Sequence, residues 1–186
     1  MDTQTTYILV AAVALAAVAV GVALYLRQKN TTRLRARFGP EYDRAVEANG
    51  DRARAEAGLK GLEKRVATSD IHPLSPADRE RYVVSWRMIQ ERFVEDPKVA
   101  VGESDKLLGD VMSARGYSLG DFEQRSADIS VDHPMVVENY RVAHRIATRP
   151  DTETSTEDLR QAMILFRSLF DELVGGPGAT PAAVAA

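Results

Sequence analysis

The chain predicts an all-α protein with a single N-terminal transmembrane helix, a basic neck and helical stalk, and then a bundle of about four to six helices. Three observations carry this. Tyr7–Leu26 is an uninterrupted apolar run of membrane-spanning length. Every later segment with a clear hydrophobic period repeats at helical spacing, and none alternates as a strand does. Helix-start chemistry also recurs, with Gly, Ser, Asp or His set just before Pro at "GP", "SP", "DP" and "HP". The expected boundaries are a short extracytoplasmic leader at 1–6, an anchor at 7–26, neck and stalk at 27–67, the bundle at 68–175 and a disordered tail at 176–186.

The anchor comes first. A helix over 7–26 spans roughly 30 Å, the thickness of a hydrocarbon core. Tyr7 and Tyr25 stand at its edges, where aromatic rings favour the headgroup level. A cleavable signal would carry a basic leader and an apolar stretch of about 7–15 residues. Here the leader is "MDTQTT", which has an acid and no Lys or Arg. "AVA" at 17–19 is the one plausible cleavage site, and a secreted or periplasmic product after cleavage is the alternative. Ala17 and Gly21 form a small-residue pair four apart, which would let two such helices approach closely as a weak homodimer.

The neck fixes the expected orientation. Arg27, Lys29, Arg33, Arg35 and Arg37 follow the span before any acid appears. Basic residues stay on the cytoplasmic side, so the N-terminus is expected outside and the body in the cytoplasm. The same five side chains could meet anionic lipid. Residues 68–186 are acidic, with twenty Asp or Glu against thirteen Lys or Arg. An acidic body argues against nucleic acid, whose backbone needs a cationic face. With no cysteine, the chain excludes disulfides, thiolate metal sites and cysteine nucleophiles.

Beyond the neck, "FGPEYDRAVEANGDRARAEAGLKGLEKRVA" reads as a stalk or loosely packed first helix. Its best apolar stripe is Leu59, Leu62 and Val66, and Gly50, Gly58 and Gly61 weaken it. Ser75–Pro76 opens a helix carrying Tyr82, Trp86, Ile89 and Phe93, an aromatic stripe suited to a core. Asp96–Pro97 opens the next, burying Val101, Leu107, Leu108, Val111 and Met112 before Gly116 ends it. A short helix containing "DFEQR" follows Ser118. "VDHPMVVENYRVAH" then enters a helix at Pro134, with Asp132 as the expected cap and Val136, Val137, Tyr140 and Ala143 inward. The last helix has the clearest amphipathic face, from Leu159 to Leu173, and Gly175 stops it.

Candidate chemistry centres on His72, His133, Tyr140 and His144. His133 and His144 fall on one helical face but about 16 Å apart along the axis. Two zinc ligands on one helix need a spacing of three or four, so these histidines do not share an ion. Phosphate-loop, dinucleotide, nucleophile-elbow and zinc-protease motifs are absent from the sequence. The expectation is therefore no cofactor, no metal and no catalytic residue. Trp86, Asp132, His133, Tyr140 and His144 are the candidates for a partner or ligand surface.

"FGPEYDRAV", "FVEDP", "DFEQRSADISVDHP" and "YRVAH" together resemble a family of bacterial membrane or secreted proteins. The resemblance implies a helical envelope protein and carries over no activity or catalytic residues. The function expected is a membrane-anchored interaction or scaffolding module with a protein partner. The alternative is a membrane-tethered enzyme or small-ligand binder with a pocket near Trp86, Tyr140 and His144.

Overall fold

The computed structural model describes residues 3–118 and 120–175, and of residues 3–10 the backbone alone. The Tyr7 side chain, the first two leader residues and the expected tail at 176–186 lie outside the described residues. Eight α-helices and no strand occur among them: α1 (Thr3–Phe38), α2 (Pro40–Asn49), α3 (Arg52–Thr68), α4 (Pro76–Glu95), α5 (Pro97–Ala114), α6 (Phe122–Asp132), α7 (Pro134–Thr148) and α8 (Thr156–Gly175).

Span and neck are one helix. α1 runs 36 residues, about 54 Å, without a break. Its apolar part stands bare, with Val18, Val20, Leu24 and Leu26 all exposed. Its last turns do not: Leu34 and Phe38 are completely buried. They share a core with Tyr42, Leu59, Leu62, Val66 and Val131.

The segment expected as a stalk is a folded pair of helices. Gly39, at φ 52°, ends α1, and α2 turns back so that Asp43 reaches Arg35 at 3.1 Å. Gly50 then adopts φ 63° and closes α2 by donating to the Val46 carbonyl at 3.0 Å. Asp51 opens α3 by accepting from the Ala53 amide at 3.1 Å. The Gly–Asp pair is both a left-handed stop and a new cap. The stripe Leu59, Leu62 and Val66 is buried as the period requires, but against α1 and α2 rather than along an isolated rod.

Helices α4–α8 enclose the larger core. Trp86 stacks on Phe170 with ring centroids 4.7 Å apart, and Tyr82, Ile89, Leu108, Met112, Phe166 and Leu169 are buried with them. Ser75, Asp96 and Asp121 each cap a helix through a backbone amide three residues on. Gly116 is required twice over. Its φ is 88°, and a Cβ there would sit 2.1 Å from the Asp70 carbonyl oxygen. That close approach seats the connector before α4, with the His72 amide donating to the Arg115 carbonyl at 2.9 Å. The buried Arg115 guanidinium donates to the Leu173 carbonyl at 3.1 Å, a cation where the α8 dipole is negative.

Ion pairs join the layers. Arg65 of α3 meets the buried Asp128 of α6 at 2.7 Å. Arg141 of α7 is almost wholly buried and meets Glu41 of α2 at 2.9 Å and Glu123 of α6 at 2.6 Å. Helices α2 and α3 are thus tied to the bundle.

Candidate functional site

The five neck cations do not form one free patch. Arg33 and Arg37 both reach Glu63 on α3, and Arg35 reaches Asp43 on α2. Arg27 and Lys29 make no ion pair among the described residues and are exposed. Just beyond them, Glu56 of α3 gathers three donors. Thr31 donates at 2.6 Å, Tyr42 at 2.9 Å and Asn30 at 3.1 Å. Burial pushes the Glu56 pKa up, but the Thr31, Tyr42 and Asn30 hydrogen bonds outweigh it and hold the carboxyl below its ordinary value. This clamp fixes the register of α3 along α1 where the helix leaves its apolar stretch. Ala17, Gly21 and Tyr25 lie on the bare part of α1, and a Cβ added at Gly21 would meet nothing within 4 Å.

The candidates in the bundle have separate partners. His133 Nδ1 lies 3.0 Å from Glu172 on α8, whereas His144 Nδ1 lies 2.9 Å from Asp105 on α5. The His144 ring stacks on Phe122 at 3.6 Å between centroids. Its Nε2 makes no hydrogen bond among the described residues. Among the described residues no group of three or more His, Asp or Glu is placed to hold a metal. Tyr140 is buried against Phe122 and Phe166, and its hydroxyl, like Oδ1 of Asp105 and Nε1 of Trp86, makes no hydrogen bond of good geometry among the described residues. Trp86 and Tyr140 are therefore core residues, and the described cavities are lined by other side chains.

Asp132 is not the cap of α7. It is the last residue of α6, and its Oδ2 accepts only a long 3.4 Å hydrogen bond from Tyr117. His133 holds the cap position of α7 without a side-chain capping bond, because Pro134 already shapes that turn without an amide to satisfy. Asp132→Ala should therefore cost less than about 0.5 kcal/mol in urea unfolding. A loss near the 1 kcal/mol typical of a cap would restore the capping role.

Buried phenols make the body sensitive to alkali. Burial, then the neighbouring Asp132 carboxylate, pushes Tyr117 up to about 12. Burial, then Asp105, does the same for Tyr140, also to about 12. The fold favours the neutral phenol, so this stabilisation is fully present below the unfolded value near 10. It is lost as pH rises from 10 towards 12, where the unfolded chain ionises first. The urea midpoint should fall across that window, and Tyr140→Phe should reduce the fall while leaving neutral-pH stability unchanged or higher. A midpoint flat from pH 9 to 12 would contradict these placements.

Three features of these sites escaped sequence reasoning: Asp105 as the partner of His144, the buried Arg141, and the Glu56 clamp. The first two had a local signal. Asp105 falls on the 101–108–112 face of α5, and Arg141 on the 137–140–144 face of α7; a charge on an apolar face marks a buried pair. Comparison with protein-family models, with curated proteins and with solved structures finds no match for this chain.

Proposed function

We propose that the protein is a membrane-anchored helical interaction or scaffolding module, held at the cytoplasmic face by residues 7–26, with its body on the cytoplasmic side. One observation carries the reading: the exposed apolar part of α1 runs unbroken into Leu34 and Phe38 of the body's core. Cleavage at 17–19 would leave Val20–Leu26 as a bare apolar stump on a folded domain, which argues for retention. The five neck cations support the orientation. A partner has an accessible place on α4, where Val84 and Met88 are exposed one turn apart.

The protein should stay in the membrane fraction through carbonate and high-salt washes. Protease added to intact spheroplasts should spare residues 38–175, and disrupted membranes should lose them. A soluble product starting at Val20 would refute the anchor, and cleavage in intact spheroplasts would reverse the orientation. Purification from native membrane in mild detergent should retain a stoichiometric protein partner.

A second reading, a small polar ligand beside His144, draws on the buried, unpartnered Asp105 Oδ1 and Tyr140 hydroxyl near it. Zinc, manganese and nickel should give no stoichiometric heat when titrated into the protein. A tight site abolished by His144→Ala would favour this reading over the first.

A further inference from the structure

We infer that the α2–α3 turn is a second membrane contact, in which Arg52 and Arg54, with Arg27 and Lys29, engage the phosphates of lipid headgroups. This rests on the anchor reading and extends it from a tether to a defined surface. α3 runs in the same direction as α1, since Glu56 meets Asn30 and Thr31 while Glu63, further on, meets Arg33 and Arg37. Arg52 lies about one turn before Glu56, and Leu26 about one turn before Asn30. The start of α3 therefore stands level with the end of the apolar span, at the headgroups.

Charge sorts in the same way. Deeper in the body, Arg33, Arg35 and Arg37 are consumed by Glu63 and Asp43. At the membrane end, Arg27, Lys29, Arg52 and Arg54 are exposed and make no ion pair among the described residues. The carboxylates nearby are Asp51, which is occupied capping α3, Glu56, which is held by Asn30, Thr31 and Tyr42, and Glu47, which is exposed on α2. Four exposed cations against three acids, two of them engaged within the fold, suit a phosphate surface, and the acidic remainder of the body would be repelled from it. The turn is held against α1 by Gly50 and by the Glu56 clamp, so a tilt of the body on its span moves it towards or away from the headgroups without refolding it.

The chain lacks cysteine, so single labelling sites can be introduced in the full-length protein. Nitroxides at Val18→Cys, Gln28→Cys, Asn49→Cys and Ala67→Cys are read in phosphatidylcholine vesicles bearing a nickel-chelating headgroup lipid. Positions 28 and 49 should broaden alike, and position 67, about 16 Å further along α3 than Glu56, should not. Added phosphatidylserine should bring position 49 closer to the headgroups, and Arg52→Gln with Arg54→Gln should abolish that response. If position 18 is shielded from water but position 49 behaves like 67, the contact is wrong and the anchor stands. If the double variant still responds to phosphatidylserine, lipid recognition by these arginines is wrong. If position 18 is open to water, the anchor reading fails and the contact falls with it.

Discussion

Replacing Phe38 by alanine is expected to destabilise the protein by about 3–5 kcal/mol, the cost of deleting a fully buried ring. Phe38 has no exposed surface and packs with Leu34, Tyr42, Leu59 and Leu62. It lies twelve residues beyond Leu26, at the end of the helix that carries the apolar span. Leu34→Ala should add about 2–5 kcal/mol of its own. The two side chains share a cavity, so their effects should not be simply additive. Leu24→Ala, on the bare part of α1, should leave urea unfolding of the body within about 0.5 kcal/mol of wild type. Two start sites make the same point. A protein beginning at Gln28 keeps both core side chains, whereas one beginning at Pro40 loses both. The longer fragment should melt cooperatively and the shorter one should lose much of that stability. A Phe38→Ala loss below about 1 kcal/mol would mean that the neck is a tether and no part of the core.

Arg141→Ala should cost a similar amount, about 3–5 kcal/mol, because it strands the buried Glu41 carboxylate. The guanidinium is 4% exposed and its two acceptors differ: Glu41 is 11% exposed and Glu123 69%. Glu123→Ala should therefore cost much less, as an exposed pair does. Burial raises the Glu41 pKa above its ordinary value, and this outweighs the opposing pull of Arg141. For an acid raised in this way, stability is fully present below the unfolded value of 4.5 and is lost as pH rises through the higher folded value. Glu41→Gln should flatten that slope. Replacing both partners, Arg141→Met with Glu41→Leu, should recover much of the loss, because no charge is then left buried alone. Equal losses for Arg141→Ala and the double variant would point to packing rather than charge.

Both results bear on what could be read from the residues. Helix identity was legible because several helices of the bundle carry their own start, at Ser75–Pro76, Asp96–Pro97 and Pro134, whereas Asp121, the cap of α6, lay inside the string read as helix. The apolar faces were equally plain, and Trp86, Leu108, Val137 and Phe166 are buried as their spacing requires. The packing of the stalk segment against α1 was not legible, for a physical reason. Its apolar stripe is narrow, so by itself it cannot make a core. The missing half comes from Leu34 and Phe38, two apolar residues set among arginines that look like a charged neck. Nothing local shows that Arg33, Arg35 and Arg37 have carboxylate partners on two later helices. His144 was similarly opaque, because Asp105 lies 39 residues before it.

The central claim is that the anchor and the body form one rigid unit joined through the last turns of α1. Native-state hydrogen exchange of the full chain in lipid nanodiscs tests it directly. The amides of Leu34–Phe38 should open only with those of Leu59–Val66 in α3, at one shared free energy, and Phe38→Ala should lower both together. Exchange at 34–38 through a separate, low-energy opening, while α3 remains protected, would contradict it.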